Sequence, residues 1–165
     1  MRVLVTYGSK RGGTEGIAAT AADELRKHGA DVDVTTPGAV REVDGYAAVV
    51  IGGALYMGRW NRDARAFVKQ HARALRGRPI FFFSSGPLDD SAIKSEIPPT
   101  GQVRRLMRQV GAREHATFGG RLLPDAQGFA ARAMAEENAG DWRDTDQVRA
   151  WARHVASEIQ RVAVA

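Results

Sequence analysis

Seven residues near the amino terminus, Gly8-Ser9-Lys10-Arg11-Gly12-Gly13-Thr14, combine the residue types that hold a phosphate. Glycines let a backbone bend back and turn its N–H groups toward one point, and a helix that begins there adds a partial positive charge. Ser9 and Thr14 supply hydroxyl donors, and Lys10 and Arg11 supply full charges. The spacing is not G-x-G-x-x-G, so the dinucleotide fingerprint is absent. It reads as a Walker loop that lacks its lysine, because nothing stands between Gly13 and Thr14. A Cys-x5-Arg phosphatase loop is excluded, since the chain has no cysteine.

What remains resembles the flavodoxin phosphate loop, Ser/Thr-x-Thr-Gly-x-Thr, which binds the 5′-phosphate of FMN. Ser9, Gly12 and Thr14 match it; Arg11 replaces the middle hydroxyl and Gly13 a frequent Asn. An ordinary glycine-rich strand-to-helix turn has the same composition, so the loop alone leaves both readings open.

The elements that must position this loop follow from apolar periodicity. Apolar runs alternate with helical patterns along the chain, which implies βα units and a parallel sheet. Strands are expected at Arg2–Tyr7, Asp31–Thr35, Ala47–Gly52, Pro79–Ser84 and about Ala116–Gly119. Helices are expected from Gly13 to His28, from an Asn61 cap to Gly77, over Gln102–Val110 and from Thr145 to Val162. Asp144 with Gln147 reads as a capping box, and Phe129–Glu137 as partly helical. Pro87–Thr100 reads as a polar loop. The expected fold is α/β: a flavodoxin-like three-layer sandwich on a five-stranded parallel sheet of order 2-1-3-4-5, with residues 1–165 as a single domain.

A ligand of such a sheet lies outside the carboxyl ends of the strands, at the switch point between strands one and three. The loop after strand three, Gly52-Gly53-Ala54-Leu55-Tyr56-Met57-Gly58-Arg59-Trp60, offers glycines for close backbone approach, together with aromatic and soft apolar surface. Ser84-Ser85-Gly86-Pro87 follows strand four and Phe118-Gly119-Gly120-Arg121 follows strand five. All these glycine-bearing loops fall at carboxyl strand ends, and their concurrence is more specific than the phosphate loop alone.

Composition sets the outer bounds. The chain has 165 residues, 44% hydrophobic and 26% charged, as soluble globular proteins do. Its longest unbroken apolar run, Tyr46–Ile51, is far short of a membrane span. An initial strand in place of a signal peptide gives a cytosolic reading. The four histidines show no metal-ligand spacing and read as surface or capping residues. The net charge of +5 favours anionic partners: phosphate ligands, acidic proteins, an anionic membrane or nucleic acid. Seven basic residues against one acid, Asp63, lie between Arg59 and Arg78, and Arg104, Arg105 and Arg108 form a second group. No basic run is interleaved with aromatics, so no nucleic-acid partner is expected.

Nearly the whole chain resembles the flavodoxin-domain family that includes the menaquinone-dependent protoporphyrinogen IX dehydrogenases. The resemblance is carried by residues 6–14, by Val49-Val50-Ile51-Gly52-Gly53-Ala54-Leu55-Tyr56-Met57-Gly58, by Phe118-Gly119-Gly120-Arg121-Leu122 and by Gly140-Asp141-Trp142-Arg143-Asp144. It implies noncovalent FMN, two-electron oxidation of a tetrapyrrole precursor and a quinone acceptor. On that footing Ser9, Lys10, Arg11, Gly12, Gly13 and Thr14 hold the phosphate. Ala54, Leu55, Tyr56, Met57 and Trp60 flank one part of the ring, and Ser84, Ser85 and Gly86 another. Pro87–Thr100 and Arg121 stand where a substrate would be gated, and no catalytic acid or base is assigned. Family enzymes carry a longer apolar and basic segment before the last helix, linked to membrane contact. Here Pro124–Asp141 is acidic, with Asp125, Glu136 and Glu137. Contact with the inner face of the membrane is left open. Two other readings stand beside the enzyme: a flavodoxin-type electron carrier that docks a redox partner protein, and a flavodoxin-like fold that binds macromolecules without flavin. Flavodoxin shuttles tend to be acidic, so the basic balance is a departure from them.

Overall fold

The computed structural model describes residues 1–10, 12–122 and 140–165. Five parallel strands form the sheet: β1 (Arg2–Gly8), β2 (Asp31–Thr35), β3 (Ala48–Tyr56), β5 (Ile80–Ser85) and β6 (Glu114–Phe118). Their order is β2-β1-β3-β5-β6, which is the expected 2-1-3-4-5 once the short strand β4 (Arg59–Trp60) is set aside as an antiparallel partner of β3. The helices are α1 (Gly13–Lys27), α2 (Arg62–Gln70), α3 (Ala72–Leu75), α4 (Ser91–Lys94), α5 (Gly101–Val110) and α6 (Thr145–Ala163). A two-stranded ribbon, β7 (Arg121–Leu122) with β8 (Gly140–Asp141), lies outside the sheet.

Strand alternation creates the layers. Side chains along a strand point to opposite faces in turn, so a strand buried on both faces divides its apolar residues between two cores. Val3, Val5, Val50, Phe81 and Phe83 pack with Ile17, Ala21 and Leu25 of α1 and Val148, Val155 and Ile159 of α6. Leu4, Val49, Ile51, Ile80 and Phe82 pack on the other face, with Phe67 and Val68 of α2 and Val103, Leu106 and Val110 of α5. The three consecutive phenylalanines of β5 therefore serve both cores. Register aligns the carboxyl ends of the central strands: Gly8 lies opposite Gly53, Gly53 opposite Ser84, and Ser84 opposite Thr117.

Several boundaries differ from the sequence reading. The third strand continues through Gly53–Tyr56, beyond its expected end at Gly52, because it turns at Met57-Gly58 and pairs back with β4. Met57 and Gly58 both have positive φ, 50° and 76°, as the two central residues of a type I′ hairpin require. Helix Asn61–Gly77 is broken at His71, which caps α2 and precedes α3. Pro87–Thr100 contains the single turn α4. Asp144 caps α6 by accepting from the backbone N–H groups of Asp146 and Gln147, but the bond is not reciprocated. The Gln147 side chain donates instead to the carbonyl of Ala92, so no capping box forms. Phe129–Glu137 lies outside the described residues.

Candidate functional site

The strand ends and their loops enclose a cleft of about 480 Å³, within the size range of small-molecule sites. One end of it is the turn from β1 into α1. Gly12, in the left-handed conformation, occupies the N-cap of α1 and brings no side-chain cap. The first turn of the helix thus presents its N–H groups without a side-chain oxygen of its own, the arrangement that attracts an anion. The Gly12 N–H donates to Ser9 Oγ at 3.2 Å, which holds the loop in its curl. Lys10 borders the same end.

The ribbon β7–β8 folds over this corner. A Cβ on Gly13 would meet the Arg121 backbone at 3.3 Å, and one on Gly12 would meet Nη2 of Arg121 at 3.0 Å. Arg121 Nε is shut off from solvent and has no hydrogen-bond partner among the described residues. Arg143 lies across the first turn of α1, where its Nη1 approaches the Gly13 carbonyl at 3.4 Å. Asp141 fixes Arg143 through Nη2 to Oδ2 at 2.6 Å and Nε to Oδ1 at 2.8 Å. That bonding holds the Asp141 carboxyl below its usual pKa and raises the Arg143 guanidinium. Tyr7, at the base of the loop, has its phenol pKa raised by burial and by Glu15.

The long wall of the cleft is the β3–β4 hairpin. Ala54, Leu55 and Tyr56 line it, with Tyr56 49% exposed at the mouth. Trp60 borders the floor but is only 1% exposed. Its ring packs on Phe82 with centroids 4.6 Å apart, and its Nε1 donates to Ser84 Oγ at 2.8 Å. On the opposite wall stand Ser85, Gly86 and Leu88. Thr14 and Ser85 are joined hydroxyl to hydroxyl at 2.7 Å, both buried, so the start of α1 is tied directly to the end of β5.

Ten of the residues singled out from the sequence therefore line one cleft: Ser9, Lys10, Gly13, Thr14, Ala54, Leu55, Tyr56, Trp60, Ser85 and Gly86. Gly12 stands just behind it as the helix cap. Ser84 lies beneath it, between Trp60 and His115. Met57, 87% exposed, is at the hairpin tip outside the lining. Arg11 lies outside the described residues.

Two glycines have a different task from the one expected. A Cβ on Gly52 would sit 2.0 Å from the Phe83 ring, and one on Gly53 would sit 2.5 Å from the Trp60 ring. Packing of these two aromatics, rather than approach of a ligand, requires glycine there. His115 is half-buried: its Nε2 meets Ser84 Oγ at 2.8 Å, and burial pushes its pKa down to about 4.

The sequence reading did not assign Asn61, Arg62, Arg65 or Leu122 to the site, and carried Arg59, Leu88 and Gly120 only as members of flanking loops; all seven line the cleft. Asn61 had been legible only as a helix cap, which it is: Oδ1 accepts from the Asp63 N–H at 2.8 Å. Among the described residues the cleft lining holds five cations (Lys10, Arg59, Arg62, Arg65 and Arg121) and neither carboxylate nor histidine. Among the described residues no cluster of side chains suits a metal ion, and no helix is long and apolar enough to cross a membrane.

Comparison with known proteins agrees with this geometry. A profile described as a flavodoxin domain matches residues 4–141. Protoporphyrinogen IX dehydrogenase [quinone] of Escherichia coli K12 is 33% identical over 86 residues, 51% of this chain and 48% of that protein. The same protein from strain O157:H7 matches equally. The chain thus spans about half the length of the curated relatives it matches. Among solved structures, a flavodoxin from the domain Archaea superposes with a TM-score of 0.66 at 15% identity, covering 97% of this chain and 99% of that one. A Streptococcus pneumoniae flavodoxin gives 0.63 at 21% identity, covering 96% and 99%. Rubredoxin oxygen:oxidoreductase of Desulfovibrio gigas gives 0.66 at 13% identity, covering 99% of this chain and 37% of that one.

Proposed function

This chain belongs to the flavodoxin-domain family, and we propose that its cleft holds FMN noncovalently and that the protein is an FMN-dependent oxidoreductase acting as one domain. One observation carries this reading. The uncapped start of α1, Lys10 and the buried Nε of Arg121, unpartnered among the described residues, converge on one corner of a cleft whose described lining has no carboxylate. That donor set suits a doubly charged phosphate monoester. When bound, FMN supplies the electron-accepting chemistry, while the protein supplies orientation and electrostatics. In this reading Ser9, Lys10, Gly12, Gly13, Thr14 and Arg121 hold the phosphate, together with Arg11 of the same loop. The Thr14–Ser85 pair has a second O–H to give toward the cleft after one is spent between them. Ala54, Leu55 and Tyr56 flank the ring on the hairpin side, with Met57 at its edge and Trp60 as the floor beneath. Ser85 and Gly86 oppose them, backed by Ser84.

The finer form of the proposal is quinone-linked oxidation of protoporphyrinogen IX, supported by the 33% identity to the Escherichia coli enzyme. A small-molecule substrate would then enter past Tyr56, and a membrane quinone would be reached by peripheral contact from the cytoplasm. The test is anaerobic turnover of protoporphyrinogen IX by the FMN-loaded protein with menaquinone as acceptor. Porphyrin fluorescence that grows only with quinone present supports the assignment, and none at all removes it.

A second reading, an electron carrier with no substrate of its own, is favoured by a cleft lining that, among the described residues, offers no carboxylate or histidine to move a substrate proton. Rapid electron exchange with a redox protein, without tetrapyrrole turnover, would select it.

A further inference from the structure

The two helical layers carry their charge differently. On the α1/α6 side every lysine and arginine is ion-paired. Arg26 pairs with Asp23, and both Lys27 and Arg153 with Glu24. Arg149 pairs with Asp146, and Arg161 with Glu158. On the other side α2 presents Arg62, Arg65 and Lys69, α5 presents Arg104, Arg105 and Arg108, and α3 adds Arg73. Asp63 is the one acid on these three helices, and none of the seven cations is in an ion pair among the described residues. A single-sign array of this kind opposes folding through self-repulsion, and its use is in steering an oppositely charged partner.

We propose that the α2/α3/α5 face docks an acidic redox protein, one that presents a carboxylate-rich surface beside its own redox centre. The charge calls for an anion, and the position selects the kind. Arg62 and Arg65 of α2 also line the cleft, so the basic face runs without a break to the mouth where a bound ring would be reached. Exposed Tyr56 and Met57 stand at that junction. Tyr, Met and Arg are the residue types enriched at the centres of protein interfaces. A bilayer is the less suited occupant, because an interfacial helix needs large apolar side chains on its buried face. Here those of α2 and α5 are spent in the core, and no large exposed hydrophobic lies on the three helices.

The inference rests on the flavin reading of the cleft, and the two fail in different ways. Failure of that reading leaves a protein that takes up no FMN. Failure of this one leaves an FMN-loaded protein indifferent to acidic partners. The probe is a recombinant acidic [2Fe–2S] ferredoxin, titrated calorimetrically into the FMN-loaded protein. Salt is raised from about 10 mM to about 100 mM, which shortens the screening length from about 30 Å to about 10 Å. Binding is expected to weaken by about tenfold or more over that range. The quadruple variant Lys69→Glu, Arg73→Glu, Arg105→Glu, Arg108→Glu, all remote from the cleft lining, should abolish it while leaving FMN affinity unchanged. If that variant does not fold, the pair Arg73→Gln, Arg105→Gln replaces it and should weaken binding measurably at the lower salt. No binding by the parent, or binding unchanged in the variants, overturns the proposal. So does tighter binding, at equal salt, to vesicles containing about a third phosphatidylglycerol or to a DNA duplex, results that would assign the face to those partners instead.

Discussion

Substituting Gly53 by alanine tests whether this glycine serves packing or ligand approach. The added Cβ would lie 2.5 Å from Cγ and Cδ2 of Trp60 and 2.8 Å from Cδ1. Carbon atoms settle about 3.5–4.0 Å apart, so the indole must move by roughly 1 Å. Trp60 is held on three sides against that shift. Phe82 packs against its ring at 4.6 Å, Ser84 Oγ accepts from its Nε1 at 2.8 Å, and Gln102 Oε1 accepts from its backbone N–H at 3.1 Å. Overpacking costs about 1–3 kcal/mol and a strained buried hydrogen bond about 1 kcal/mol more, giving about 2–4 kcal/mol. At about 2–4 °C per kcal/mol for a chain of this size, Tm should fall by about 5–15 °C. Urea melts of the flavin-free protein measure the loss directly. In a Trp60→Leu background the clash partner is shortened, so adding Gly53→Ala should cost less than about 1 kcal/mol, a coupling that a double-mutant cycle reads. A Gly53→Ala protein as stable as its parent but unable to take up flavin would refute the packing account.

Further outcomes follow from the same geometry. Arg121→Gln should weaken FMN binding by about ten- to a hundredfold, the worth of one charge-assisted hydrogen bond, and leave riboflavin binding unchanged in a fluorescence titration. His115 is held neutral, with its pKa lowered from 6.5 to about 4 by burial. The unfolded chain therefore binds the extra proton first, so stability is full above about pH 6.5 and falls as the pH drops toward 4, by at most about 3 kcal/mol. His115→Gln should flatten that slope in urea melts taken across the window. Met57 is a non-glycine residue with φ of 50° at an exposed turn, so Met57→Asn should raise stability by about 0.5–1 kcal/mol in a thermal melt. Thr14→Val leaves buried Ser85 without its partner and should cost about 1–2 kcal/mol by the same measurement.

The fold was legible because its signals are local. Buried parallel strands such as Val3-Leu4-Val5 and Ile80–Phe83 are continuous apolar runs, and α6 has an unbroken 3.6-residue stripe. The turn from β1 into α1 was legible for the same reason, being one contiguous glycine-rich stretch with a distinctive composition. What escaped were juxtapositions across the chain. Arg121 is more than a hundred residues from Gly12, and only the ribbon β7–β8 brings it over α1. Arg62 and Arg65 read only as members of a basic group, because nothing in their spacing says that the start of α2 borders the cleft. Gly52 and Gly53 of β3 were read for a ligand because composition does not reveal that Phe83 and Trp60 fill the space above them. His115 looked superficial because its partner Ser84 comes from another strand.

The most direct measurement is a fluorescence titration of the purified, flavin-free protein with FMN and, separately, with riboflavin. If the start of α1 and its two flanking cations hold a phosphate, FMN should bind at least about a hundredfold tighter than riboflavin, a difference of about 3 kcal/mol. Equal affinities, or no binding of either, would contradict the assignment of that corner.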